Sequence, residues 1–320
     1  MKSRSSEIRR ARPVLGTIVE IGAVGLNAGV AIDAAFCEIY AIHLLMSFHE
    51  EESDVSRLNR SVPGEVVRVD PRTYEVLVYA QELSRLSAGA FDITVGGKLV
   101  EQGFLPRPHG AAPVDSEASF EDIKLLANDS VSLTRRLWID LGGIAKGYAA
   151  DRAALALKMC GVTSGIVNAG GDLYVFGAPQ PIHLRYPNNP SLVLPLGMIA
   201  NSAVASSSRC FANAGEPGAA AEPLIDPRRN ASMKWQRGIT VIAPRCVIAD
   251  ALTKVVRLAP RRAPKILSRF SARAVIVDRL GARPFNGQHN EMRHAQARSA
   301  VSHRSRAVVP AYRVAALEAK

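Results

Sequence analysis

The 320-residue chain has little of what staples small proteins or stacks nucleobases: four cysteines, two tryptophans and an aromatic share of 6%. Cys37, Cys160, Cys210 and Cys246 are scattered with no C-x-x-C pair. That spacing excludes a disulfide framework and a cysteine zinc site, and it predicts buried free thiols. No apolar run is long enough to span a bilayer. The N-terminal segment 1–12 is basic but lacks the apolar core of a secretory signal, so the sequence predicts a soluble, cytoplasmic protein. A P-loop is excluded because Lys146 precedes Gly147 and Tyr148 follows, the wrong order for Gly-Lys-Ser/Thr. Asn168-Ala-Gly-Gly-Asp172 supplies no G-x-G-x-x-G, so a dinucleotide fold of that kind is not supported. Internal repeats are absent.

What is present is enough apolar material, 48% of residues, to bury a full core in one large or two intimate domains. The net charge of +11 is unevenly spread. From Arg257 to Lys320 fourteen basic residues face only Asp278, Glu291 and Glu318, so this end carries the whole excess. A basic tail can hold nucleic acid or an acidic membrane surface. The plainer reading, a solvated and disordered extension over 287–320, is preferred because aromatic residues to stack bases are almost absent from it; no nucleic-acid partner is expected.

The chain is organised around Leu137-Trp-Ile-Asp-Leu-Gly-Gly-Ile-Ala-Lys-Gly-Tyr-Ala-Ala-Asp-Arg152. Val131, Leu133, Leu137, Ile139 and Leu141 alternate with polar or outward residues, the period of a half-buried strand. Gly142-Gly143 turns the backbone, and Ala149 to Met159 read as a helix stopped by Gly161. Strand, glycine turn, lysine and helix start together suit an anion, because orphan amides and the positive helix end would face it and Lys146 adds a point charge. Asp140 beside them suggests a cation or a donor-rich ring in the same site. The competing reading is an ordinary strand–turn–helix with solvated ends.

Around this stretch, Pro13 to Gly22 reads as a first strand. A helix follows from Asn27, and Pro71 opens a second that stops at Ala88-Gly89. Gly165 to Gly177 reads as two strands joined at a Gly-Gly turn. Pro179 to Pro195 reads as short strand segments, Gly215 to Ala221 as a loose loop, and Ala274 to Asp278 as the final strand. Strands and helices mix without regular alternation, which predicts an α+β domain with mixed sheets packed against helices.

Leu15-Gly-Thr17, Ser53-x-x-Ser-Arg-Leu-Asn59, Gly89-Ala-Phe-Asp-x-Thr94, Asp140-Leu-Gly-Gly-Ile-Ala-Lys-Gly147, Asn168-Ala-Gly-Gly-Asp172, Ile225-Asp-Pro227 and Ala249-Asp-Ala-Leu-Thr253 occur in that order. Each piece is weak alone, but the ordered series, covering roughly Pro13 to Asp278, resembles the FAD:protein FMN transferase (ApbE) family. The resemblance implies an ApbE-like, T-fold-like catalytic domain over 13–286. It also implies a magnesium-dependent transferase that splits FAD, attaches FMN through a phosphoester to a threonine or serine of a target flavoprotein, and releases AMP. Carried over by position, Leu15, His49, Ala90, Phe91, Asp92, Asp140, Lys146 and Ile225 match flavin-contact positions. Gly143 through its carbonyl, Asp250 and Thr253 match metal-ligand positions, with Asp250 and Lys146 expected to carry catalysis.

The chain also departs from the family pattern. Lys254 stands where the family usually has a threonine, and a lysine cannot ligate a cation. Leu15 and His49 replace a common methionine and tyrosine. Pro223-Leu224 replaces a frequent histidine before Ile225, which removes one candidate base. Ser206-Ser207-Ser208 stands where Thr-Ser-Gly is usual. These departures motivate an alternative: an FAD-binding protein or FAD pyrophosphatase without transfer.

Overall fold

The structure, a computed structural model, describes residues 7–187, 189–207, 224–229, 231–232 and 237–286. The basic tail 287–320, residues 1–6, the loop Gly215 to Ala221, Cys210, Pro223 and Ser208 lie outside the described residues. In chain order the elements are β1 (Glu7–Val14), β2 (Thr17–Val24), α1 (Ala28–Met46), α2 (Asp54–Arg60), β3 (Val66–Arg68), α3 (Pro71–Ser87), α4 (Gly96–Glu101), β4 (Ile123–Leu126), β5 (Ser130–Leu133), α5 (Ala145–Met159), β6 (Ser164–Ala169), β7 (Asp172–Phe176), β8 (Gln180–Tyr186), β9 (Asn189–Ile199), β10 (Ser202–Ser207), β11 (Ile225–Asp226), β12 (Ala231–Ser232), β13 (Gly238–Ala243), α6 (Cys246–Leu258), α7 (Ala263–Arg269), β14 (Arg273–Asp278) and β15 (Gly281–Pro284).

The expected α+β class holds. An antiparallel eight-stranded sheet runs β1-β2-β6-β7-β10-β13-β14-β15, and a smaller sheet runs β3-β5-β4. Helices α1, α5 and α6 pack on one face of the large sheet. Their apolar faces, including Ile32, Phe36, Ile39, Ala153, Leu157, Leu252 and Val256, close the main core over Val19, Ile21, Val167 and Val241. The hairpin β8–β9 covers the opposite face, where Ile182, Leu184, Leu196 and Ile199 pack on Val175, Val204 and Val277. The sheet is thereby buried on both sides over much of its width, which accounts for the near-continuous burial along β10 and β13.

Several expectations are corrected. The stretch Pro13 to Gly22 is not one strand but a hairpin, because Leu15 and Gly16 both adopt positive φ (58° and 67°) in a two-residue turn that returns Val14 onto Thr17. Arg9, Arg10 and Arg12 of the basic N-terminal segment belong to β1, where they are neutralised in place. Arg9 pairs with Glu20 at 2.8 Å, Arg10 and Arg12 each meet Asp33 at 2.6 Å, and Arg12 stacks 4.4 Å over Phe36. The proline-punctuated region forms a long hairpin with register shifts near its prolines, and β15 rather than β14 ends the sheet. The strand expected up to Leu141 ends at Leu133; beyond it only Trp138 makes a bridge, to Val95. Cys246 is buried as expected, whereas Cys37 and Cys160 are exposed. By length and composition alone α1 is apolar enough to cross a bilayer, as core helices can be. One face of α1 is packed into the core.

Candidate active site

The N-termini of α5 and α6 meet, and each is capped by a carboxylate from the other. Asp151, on α5, accepts the Cys246 and Val247 amides at the start of α6 at 2.7 and 3.0 Å. Asp250, on α6, accepts the Gly147 amide of α5 at 3.1 Å. A carboxylate at each positive helix end is favourable, so the two helices stabilise each other's weakest point. The approach is close because residue 147 has no side chain. A Cβ there would lie 2.3 Å from the Cys246 carbonyl oxygen and 2.8 Å from the Asp250 Cβ. This corrects one sequence expectation: the Gly147 amide does not face a ligand, because Asp250 already occupies it.

Desolvation governs Asp151, whose carboxyl is pushed up to about 6 despite its two amide bonds and the nearby Arg245. Asp250 is wholly buried. Its Oδ1 takes the ammonium of Lys254 one turn further along α6, and Lys254 also donates to the Asp250 backbone carbonyl at 3.2 Å. The Thr253 hydroxyl, equally buried, donates to the same carbonyl at 2.7 Å.

A cleft of about 420 Å³ opens beside this junction, within the roughly 300–1,000 Å³ of small-molecule sites. Leu15, His49, Ala90, Phe91, Asp92, Asp140, Lys146 and Ile225 all line it, as does Gly143. Asp250 and Thr253 do not; they lie behind the wall, which Lys254 completes. Residues separated by more than two hundred positions are thus brought to one cavity.

Local chemistry explains how. Leu15 reaches the cleft from the tip of the β1–β2 hairpin in a left-handed conformation that costs a non-glycine residue about 1 kcal/mol or more. In the Gly-Ala-Phe-Asp-x-Thr motif, Asp92 Oδ1 accepts both the Thr94 amide and its hydroxyl at 2.8 Å, and Oδ2 accepts the Phe120 amide at 3.1 Å. Asp92 therefore shapes the turn that presents Ala90 and Phe91. Asn59, at the end of the Ser-Arg-Leu-Asn motif, forms a two-way clamp on Ile139, accepting its amide at 2.7 Å and donating to its carbonyl at 3.0 Å. That clamp, with the Asp140 amide on the Ile93 carbonyl at 2.8 Å, fixes Asp140 at the cleft. Burial raises the Asp140 carboxyl above its usual range, opposed by a Gly142 amide and by Lys146, His49 and Lys254. Lys146 reaches the Gly142 carbonyl at 3.3 Å and Asp172 at 3.4 Å.

Arg257 was missed in the sequence as a site residue: it donates to Ser207 Oγ at 2.7 Å, and both border the cleft. The signal was the spacing Asp250, Lys254, Arg257, at i, i+4 and i+7 on one helical face.

The donor set expected for a divalent cation does not fit one as it stands. Magnesium needs oxygen ligands at roughly 2.0–2.1 Å, yet the Asp250 oxygens are engaged by an ammonium and an amide. Among the described residues no group of three or more His, Cys, Asp or Glu side chains converges to hold a metal.

A model of the ApbE family matches residues 15–276. The FAD:protein FMN transferase of Rhodobacter capsulatus is 25% identical over 284 residues, 82% of this chain and 54% of that protein. The FAD:protein FMN transferase of Treponema pallidum is 26% identical over 193 residues, 55% of this chain and 53% of that protein. The chain thus spans about half the length of these two curated relatives. Among solved structures, the apbe protein of Thermotoga maritima superimposes with a TM-score of 0.73 at 27% identity, covering 87% of this chain and 97% of that one.

Proposed function

Because the chain belongs to the ApbE family, we propose that it is a FAD:protein FMN transferase whose flavin dinucleotide lies in the cleft between the β1–β2 hairpin and the start of α5. The observation that carries this reading is the convergence of Leu15, His49, Ala90, Phe91, Asp92, Asp140, Lys146 and Ile225 on one cavity. Apolar Leu15, Phe91 and Ile225 suit the flat flavin. Partly buried Asp140 is placed for a donor-rich ring edge, and Lys146 and Lys254 for the pyrophosphate.

In the proposed reaction a threonine or serine hydroxyl of an acceptor flavoprotein attacks the FMN phosphorus. The new phosphoester P–O bond forms as the bridging P–O bond breaks. AMP leaves on its own phosphate, and the hydroxyl proton passes to the leaving phosphate or to water. Little covalent chemistry falls to the protein; positioning and charge stabilisation do most of the work. Lys146 acts here as a fixed charge, held by Asp172 and the Gly142 carbonyl so that no reorganisation is needed during the step.

Purified protein, FAD and an acceptor domain should give AMP together with a covalently yellow acceptor. Absence of labelled acceptor at saturating FAD would overturn the reading. A second reading, an FAD pyrophosphatase or carrier, is favoured by Lys254 on Asp250 and by Leu224 at the place of a frequent family histidine. Its signature is FMN and AMP released with no modified acceptor, or FAD retained intact.

A further inference from the structure

We propose that Lys254 is a tethered substitute for the divalent cation, so that this chain holds its pyrophosphate ligand without a metal. The inference rests on the FMN-transfer reading only in taking a dinucleotide pyrophosphate as the anion of the cleft. The contact of Lys254 with Asp250 is built and enclosed. Asp250 has no exposed surface, and the Lys254 side chain is 12% exposed, with its open part on the cleft. The lysine stem runs against Gly143: its Cε lies 3.5 Å and its Cδ 3.9 Å from where a Cβ on that glycine would sit. Asp250 and Gly143, two of the three positions expected to ligate an ion, are therefore bridged by one ammonium-bearing chain. Thr253, the third, has its hydroxyl turned to the Asp250 carbonyl.

Three physical consequences follow from this arrangement. An ammonium and a divalent ion cannot share Asp250 Oδ1 without strong repulsion in a buried site. A tethered charge is present at every ion concentration, unlike a dissociable one. It is also weaker: Asp250 with Lys254 sums to zero, where Asp250 with a divalent cation would sum to +1. The remaining positive charge on the cleft comes from Lys146 and from Arg257, which lies three residues beyond Lys254 on α6 and is anchored on Ser207 at 2.7 Å. The acidic groups that oppose them are Asp140 and Asp92, which line the cleft, and Asp172 on β7, which meets Lys146 at 3.4 Å.

The test uses the full chain. FAD affinity is read by flavin fluorescence in EDTA and in magnesium chloride, and ion binding is read by the Mn²⁺ spin-resonance signal with and without FAD. For the unaltered protein we expect FAD affinity to change by less than about twofold with magnesium, and no Mn²⁺ to be sequestered. Lys254→Thr should gain magnesium dependence on the order of tenfold and bind one Mn²⁺. Sequestered Mn²⁺ in the unaltered protein, or FAD affinity that rises tenfold with magnesium, would overturn the proposal. These two arms need no variant, so they decide even if Lys254→Thr fails to fold. If FAD does not bind under any condition, the flavin reading fails, and the Mn²⁺ arm still judges Lys254 by itself.

Discussion

Replacing Gly147 by alanine probes how closely α5 and α6 are held. In an open helix this change stabilises by about 1 kcal/mol, because alanine loses less backbone freedom on folding. Here the added Cβ would sit 2.3 Å from the Cys246 carbonyl oxygen, 2.7 Å from its carbon and 2.8 Å from Asp250 Cβ. Two of these atoms are backbone, so no side-chain rotation relieves the overlap, and the helices must separate. Overpacking of this kind costs roughly 1–3 kcal/mol. Separation would also stretch the Gly147 amide bond to Asp250 and the Cys246 and Val247 bonds to Asp151, a further loss on the order of 1 kcal/mol. Together these offset the helix-propensity gain and leave Gly147→Ala about 2 kcal/mol less stable. Urea unfolding monitored by circular dichroism reads the difference. FAD affinity should fall in parallel, because the wall of the cleft moves with α6. A Gly147→Ala protein more stable than its parent would refute the reciprocal capping of the two helices.

Asn59→Ala should cost about 2–4 kcal/mol, since it leaves the Ile139 amide and carbonyl buried without their partner; a loss under 1 kcal/mol in urea unfolding would show that the clamp is not needed. Asp250→Ala removes one partner of a buried pair and should cost about 3–5 kcal/mol. It should also abolish transfer while leaving part of the FAD binding; unchanged turnover would contradict the placement of Lys254. Because folding raises the Asp151 carboxyl from 3.8 to about 6, the native state binds the extra proton. The group's contribution to stability is therefore fullest below about pH 4 and falls as pH rises to about 6, by at most about 3 kcal/mol. Asp151→Asn should flatten that part of the stability–pH curve; a slope unchanged by the substitution would assign it elsewhere.

The order of motifs carried the site further than the periodicities did. Residues at cleft positions, from Leu15 to Ile225, were legible because their motifs recur in a fixed order. The capping of α5 by Asp250 was not legible, because it joins residues 103 positions apart and depends on a missing side chain at 147. Asp92 and Asn59 were visible as motif members, yet what they do physically, an Asx-type turn and a peptide clamp, emerges only from their bonds. The double strand at the N-terminus was hidden because a leucine, not a glycine, occupies the first left-handed turn position. Lys254 was legible as a departure from the family pattern, whereas its contact with Asp250 required the helix geometry of i and i+4.

The central claim, that the cleft takes a flavin dinucleotide with its pyrophosphate over Lys146 and Lys254, is tested most directly by comparing the dissociation constants of FAD and riboflavin for the parent protein and for Lys146→Met. The account predicts that FAD binds at least about tenfold more tightly than riboflavin, a difference of roughly 1.4 kcal/mol, and that Lys146→Met narrows the gap. Equal affinities for the two flavins, or a gap untouched by the loss of Lys146, would contradict it.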